Sequence, residues 1–304
     1  MALAGGDGRG ELVCVTGGSG FIGSWLVRLL LDRGYTVHAT VQNLQDEGET
    51  KHLQALDGAD TRLRLFQMDL LDPASVRPAI QGVHGVFHLA SPVILQPAQD
   101  PENELLLPAV NGALNVLRAA KDSGVKRVVM VSSQTAMCPT ADWPADKVID
   151  DDCWADVEIL KKLELWYNVS KTLAEKAAWD FAGEEGLKLV VLNPGLVLGP
   201  TLTPAPTGSL RLLMLLLGGQ SVATYRVFCS SIARSLTWNP SSLAALTSEM
   251  WHNLWWCSMR TRRRRDATCA WSPPYASSIS TMNLLIFTLN SRFTGSRRTN
   301  RAGW

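Results

Sequence analysis

The sequence predicts an α/β fold, a parallel sheet with helices on both faces, on three observations. Short apolar or β-branched runs alternate with longer runs at helical spacing over the first 219 of 304 residues. A glycine cluster joins the first strand-like run to the first helical one. The residues that carry chemistry follow the ends of strand-like runs, which is where such sheets bind ligands.

Glu11–Thr16 (ELVCVT) is the first strand-like run. Phe21–Arg33 has helical apolar spacing and is closed by Gly34, the residue a helix C-terminus favours. Thr36–Val41 is β-branched and alternating. Leu63–Met68, Gly85–Ala90, Val128–Ser132 and Leu187–Asn193 predict four more strands. Helices are expected near Pro73–Gln81, Glu102–Ser123 and Leu163–Glu184. Right-handed crossovers then place the helices on both faces.

The average composition, 46% apolar and 19% charged with net charge +1, suits a soluble globular chain. It conceals a break. Residues 1–219 carry 18 basic and 26 acidic side chains, net −8. Residues 220–304 carry 11 arginines, no lysine and 2 acidic residues, net +9, and six of the eleven tryptophans. The N-terminus lacks the basic and apolar regions of a secretory signal, and no apolar run approaches the roughly 20 residues that span a bilayer. Six scattered cysteines without a C-x-x-C pair argue against a metal site or disulfide framework and suit a reducing, cytoplasmic setting.

Thr16–Gly23 (TGGSGFIG) is the strongest motif, because it lies between a strand and a helix. Gly17 permits a tight turn, Gly20 lets backbone approach a pyrophosphate, and Gly23 lets helix and strand pack closely. Phe21 and Ile22 open the helix, whose free N–H groups and positive dipole end favour phosphate. The fold is therefore expected to be of Rossmann type. Tyr167 and Lys171 stand at i and i+4 of a helix, so both project from one face. A nearby ammonium is expected to bring the phenol pKa down from ~10 toward the working range. Alone, such a pair is more often structural. Ser132–Ser133, ending a strand, could bond a substrate carbonyl or simply make a turn.

Together these residues resemble the extended short-chain dehydrogenase/reductases, and more narrowly the plant cinnamoyl-CoA reductase and dihydroflavonol reductase group. Val86–Pro92 (VFHLASP), Cys153–Trp154, Tyr167–Trp179 (YNVSKTLAEKAAW) and Asn193–Pro200 (NPGLVLGP) carry the likeness. The resemblance implies that Ser133 polarises a carbonyl, Tyr167 delivers a proton, and Lys171 lowers the Tyr167 pKa and holds the nicotinamide ribose. It implies a proton-relay role for Asn111, and that Asp69 and Leu70 frame the adenine. Leu89 and Ala90 would line the cofactor trough, and Pro194 and Gly195 would meet the nicotinamide carboxamide. His88 and Cys138 are expected to pack.

Three departures matter. Leu165-Trp166-Tyr167 replaces N-W-Y, and Cys138 stands where dihydroflavonol reductases place a ring-binding Asn. Gln42-Asn43 replaces the Arg-Asp of the NADP clamp, and Asn43 also stands where NAD binders place an acid. With no carboxylate expected there, NADPH is the predicted cofactor and NAD the alternative. Lys51 could add charge, although a solvated helix lysine is the simpler account.

Domains are expected at 11–200 (cofactor binding) and 201–219 (the start of a substrate region), with a flexible 1–10. Residues 220–304 read as an aberrant, disordered tail. A basic nucleic-acid arm is a weaker account. A reading-frame shift explains more. If the last base of each codon joins the next two, Met250–Trp251 and Trp255–Trp256 both force valine. Around Thr247–Ser272, permissible codons then restore the family's H-V-x-D-V-A and Y-E-N-x-x-x-x-G-R-H patterns. Leu243–Gly295 is thus expected to be the family's C-terminal region in the wrong frame. The pocket would then lack its cover, weakening turnover.

The leading expectation is an NADPH-dependent reductase of a phenylpropanoid-type carbonyl or CoA thioester. Partners are a small-molecule substrate, with no nucleic acid and no membrane. Alternatives are an NAD-dependent sugar-nucleotide epimerase or dehydratase, which uses the same Ser/Tyr/Lys set, and a non-catalytic cofactor-binding remnant.

Overall fold

The computed structural model describes residues 10–92, 99–137, 153–195, 197–204, 206 and 208–217. The expectations for Cys138, for the tail 220–304 and for nearly all of 1–10 lie outside these residues. Among the described residues, six parallel strands form one sheet: β1 (Leu12–Thr16), β2 (Thr36–Val41), β3 (Leu63–Gln67), β4 (Gly85–His88), β5 (Arg127–Val131) and β6 (Leu189–Leu192). Their order is β3-β2-β1-β4-β5-β6. The chain winds outward from β1 in both directions, so the crevice beyond β1 and β4 is the topological switch point where ligands bind. Registers such as Cys14 opposite Val86 and Val13 opposite Val37 hold these neighbours in line.

The helices are α1 (Phe21–Asp32), α2 (Glu47–Gln54), α3 (Ala59–Arg62), α4 (Pro73–Ile80), α5 (Leu107–Asp122), α6 (Val157–Lys162), α7 (Trp166–Glu185) and α8 (Gly208–Leu217). The strands sort their side chains between two cores with the period of two that a pleat imposes. Val13, Val15, Phe87, Val129 and Val131 face one core with Val27, Leu30 and Leu31 of α1. Cys14, Val86, Val128 and Met130 face the other, with Ile80 of α4, Leu117 of α5 and Ala178 of α7. Alanines at 113, 120, 174, 178 and 182 populate this second core, and small side chains let α5 and α7 come close.

Strand positions agree with the sequence expectation to within two residues at most ends. Three helical features differ. Glu102–Leu106 is a π-helical turn, and α5 proper begins at Leu107 with Pro108 in its first turn, where a missing N–H costs nothing. The helix expected over Leu163–Glu184 is α7, which begins only at Trp166. Glu164 has φ 55°, Leu165 N–H donates to Leu160 carbonyl at 2.9 Å and Glu164 N–H to Lys161 carbonyl at 3.0 Å, so a Schellman turn ends α6 before α7 starts. Finally, α2, α3, α6 and α8 were not expected. α2 buries only Thr50 and Leu53, too little to give an apolar period, and is held instead by Asp46, whose carboxylate accepts from Gly48 N–H at 2.8 Å.

Candidate functional site

A cavity of about 950 Å³ lies beyond the carboxyl ends of the strands, and every predicted site residue except Asn111 lines it. The glycine loop forms its floor. Gly17 has φ +68°, and a Cβ there would lie 3.0 Å from the Ala90 backbone, so the loop and the end of β4 can meet only at glycine. A Cβ on Gly23 would lie 2.1 Å from the Gly17 carbonyl. Gly23 therefore lets the helix pack against the loop itself, a correction to the expected helix–strand contact. Gly20 caps α1 with no side-chain bond, and Phe21, Ile22 and Gly23 line the cavity at the positive end of the helix. A glycine loop leading into a helix N-terminus suits a phosphate.

Thr16, the last residue of β1, joins the two strands at the switch point. Its Oγ1 accepts from Leu89 and Ala90 N–H at 3.1 Å each and lies 2.9 Å from His88 Nδ1. With its lone pairs used, the hydroxyl donates to Nδ1. His88 is buried, and burial first and the Lys171 charge second push its pKa down to about 3. It is a neutral packing residue, as the sequence implied, with a defined partner.

At one end of the cavity Ser133, Tyr167 and Lys171 meet. The Ser133 Oγ accepts from Thr135 N–H at 3.2 Å, beginning the turn Gln134–Ala136, and its hydroxyl also hydrogen-bonds Tyr167. Making the turn thus leaves the Ser133 side chain in contact with Tyr167 in the cavity. Lys171 Nζ lies 5.8 Å from the Tyr167 ring centroid. The ammonium was expected to lower the Tyr167 pKa. Instead, desolvation raises it, and the Ser133 hydrogen bond pulls it partly back. Lys171 is itself buried, which brings its pKa down to about 8, with Glu175 opposing. Tyr167 is thus a protonated donor at neutral pH.

Behind this set stands a pair the sequence reading did not identify. Asn193, after β6, donates through Nδ2 to the Ser133 carbonyl at 3.1 Å and to Glu175 Oε2 at 2.7 Å. Pro194 carbonyl accepts from Gln134 N–H at 2.9 Å, tying Pro194–Gly195 to the Ser133 turn. Ser132 Oγ and Thr135 Oγ1 are buried without a hydrogen-bond partner, and both residues line the cavity. Both flank Ser133, and unsatisfied hydroxyls at that end of a cavity with a glycine loop in its floor fit a polar ligand such as a nicotinamide dinucleotide.

The other end holds Gln42, Asp69 and Leu70, as expected, together with Glu49 of α2, which was not foreseen. Glu49 Oε2 accepts from Gln42 N–H at 2.7 Å and from Ser19 Oγ at 3.4 Å. Asn115 of α5 donates to Leu70 carbonyl at 2.9 Å, and Gly112 leaves room for Leu70, whose Cβ would lie 2.9 Å from a Cβ there. Asn111 is exposed on the same helix and does not reach the cavity; Pro108, one turn earlier, does. Lys51 pairs with Glu47 at 2.8 Å and is a solvated helix lysine. Among the described residues no helix is long and apolar enough to cross a membrane.

A family model described as the NAD dependent epimerase/dehydratase family matches residues 13–219. Cinnamoyl-CoA reductase CAD2 of Medicago truncatula is 47% identical over 212 residues, which are 69% of this chain and 65% of that protein. The chain thus spans less than two thirds of the length of that curated relative. Vestitone reductase of alfalfa superposes with TM-score 0.64 at 29% identity, covering 83% of this chain and 74% of the other. Gre2 of Candida albicans, solved with NADPH, gives TM-score 0.56 at 33% identity over 63% of this chain and 59% of its own. From the glycine cradle to Asn193 and Pro194 the candidate site lies within the matched region, and the chain belongs to the NAD dependent epimerase/dehydratase family, within the extended short-chain dehydrogenase/reductases.

Proposed function

We propose that this chain is built to reduce a phenylpropanoid-type carbonyl or CoA thioester with a reduced nicotinamide dinucleotide. The observation that carries this is the convergence of Ser133, Tyr167 and Lys171 at one end of a dinucleotide-sized cavity whose floor is a phosphate cradle. Likeness to cinnamoyl-CoA reductase favours this over sugar-nucleotide epimerisation. NADPH, the predicted reductant, and NADH differ only at the adenosine 2′ position.

Gly20, Phe21, Ile22 and Gly23 would hold the pyrophosphate, Asp69 and Leu70 the adenine, and Pro194 and Gly195 the carboxamide. When bound, the dihydronicotinamide supplies hydride to the carbonyl carbon. The Ser133 and Tyr167 hydroxyls meet the charge growing on the carbonyl oxygen, and Tyr167 delivers the proton. Lys171 keeps a positive charge beside the phenolate that remains. With a thioester, the hemithioacetal then expels CoA thiol and leaves an aldehyde.

Fluorescence titration of the full chain with NADH and NADPH, paired with turnover of feruloyl-CoA, tests the proposal. Binding with turnover supports it. Binding without turnover favours a cofactor-binding remnant, the outcome that follows if the family's C-terminal region has been lost to a shifted frame. Turnover of a UDP-sugar alone overturns it.

A further inference from the structure

We propose that Glu49 selects a dinucleotide whose adenosine ribose carries a free 2′-hydroxyl, so that this chain takes NADH in preference to NADPH. The inference rests on the dinucleotide-binding role proposed above. It replaces the expectation of NADPH, which depended on there being no carboxylate near the end of β2.

The carboxylate is present, delivered by α2 instead of by the strand end. Asp46 caps α2, and Glu49 lies in its first turn. Its Oε2 accepts from Gln42 N–H at 2.7 Å, Ser19 Oγ at 3.4 Å and Asn43 N–H at 3.5 Å. These bonds tie one carboxylate between the glycine loop and the residues following β2. That corner is where a dinucleotide fold places its adenosine ribose when the pyrophosphate sits on the glycine loop.

A ribose hydroxyl can donate to a carboxylate. A phosphate dianion cannot, and the two like charges would repel at close range in a partly desolvated groove. Nothing nearby offsets this. Among the described lining residues the only Lys or Arg is Lys171, which belongs with Tyr167, and the charged groups at the Gln42 end are Glu49 and Asp69. Lys51 is exposed and bound to Glu47. His52, further along α2, is held below its usual pKa by burial and adds no fixed charge at neutral pH.

Calorimetric titration of the full chain with NADH, NADPH, 5′-AMP and 2′,5′-ADP reads the preference without requiring turnover. NADH and 5′-AMP are expected to bind at least about tenfold more tightly than their 2′-phosphorylated forms. Glu49→Gln should narrow that ratio several-fold, and Glu49→Lys should reverse it. Tighter binding of NADPH by the unsubstituted chain, or an unchanged ratio in Glu49→Gln, overturns this inference and leaves the reductase proposal standing. Failure of both dinucleotides to bind overturns the two together.

Discussion

The Thr16 hydroxyl lies 2.9 Å from His88 Nδ1, linking the carboxyl ends of the two strands that flank the topological switch point. The bond serves only a neutral imidazole, because an imidazolium has no lone pair for the hydroxyl proton. Burial depresses the His88 pKa from 6.5 to about 3, so between these values the unfolded chain takes up a proton that the folded chain refuses. Stability is therefore full above about pH 6.5 and falls as the pH drops toward 3, by up to about 1.4 kcal/mol per unit. Denaturant midpoints should show a loss of about 2 kcal/mol between pH 6.5 and pH 5. In His88→Asn, whose amide oxygen can still accept from Thr16, this part of the acid dependence should disappear. An unchanged slope would show that other groups set the acid limit.

Glu175 raises the proton affinity of buried Lys171 while its Oε2 accepts from Asn193, which in turn holds the Ser133 carbonyl. Glu175→Gln keeps the hydrogen-bond acceptor and removes the charge. With the opposing influence gone, the Lys171 pKa should fall below about 8. In the proposed reaction turnover depends on the ammonium, so its alkaline limb should move to lower pH by about one unit. Cofactor affinity well below the limb should be largely retained. A merely structural role for Glu175 would lower activity equally at every pH.

Much of this architecture is legible in the chain because the signals are local. β2 occupies Thr36–Val41 as its alternation predicts, and the glycine motif sits between strand and helix where its context required. Ser133, Tyr167 and Lys171 also converge, although their separate sequence signals are weak. What escaped is non-local or lacks a period. Glu49 rides on a polar helix with two buried residues and reaches Gln42 across a loop, so a carboxylate stands near the end of β2 where none was expected. Asn111 and Asn115 differ by one helical turn, yet the second bonds the Leu70 carbonyl while the first faces solvent. Spacing along a helix cannot say which turn meets a neighbouring loop.

Glu164 occupies the left-handed position of the Schellman turn between α6 and α7, at φ 55°. Among the described residues, the turns of this kind that end α1, α5 and α7 use Gly34, Gly124 and Gly186. A side chain with a Cβ costs about 1–2 kcal/mol in that backbone conformation, offset by the roughly 0.5–1 kcal/mol of extra entropy glycine loses on folding. Glu164→Gly should therefore stabilise the chain by about 0.5–1 kcal/mol, raising Tm by a few degrees. Because the turn sets where α7 begins, and Tyr167 is its second residue, cofactor binding should be unchanged only if the turn geometry is kept. Thermal melting with and without dinucleotide checks both points.

Gly20 and Gly23 belong to one motif, but their missing side chains leave different spaces. A Cβ at Gly23 would lie 2.1 Å from the Gly17 carbonyl and 2.9 Å from Gly18 Cα, both backbone atoms that cannot rotate aside. Gly23→Ala must push α1 off the loop and should destabilise the fold by at least about 1–3 kcal/mol, with loss of dinucleotide binding as a consequence. At Gly20 the same atom would meet only the Gly17 carbonyl, at 3.4 Å, and φ is −72°, a conformation alanine accepts. Gly20→Ala should leave the melting temperature of the free chain nearly unaltered. Its methyl group enters the space a pyrophosphate needs, so dinucleotide affinity should fall by about tenfold or more. Equal melting losses in the two variants would mean that the loop needs both glycines for its own shape, and that the space above Gly20 is not reserved for phosphate.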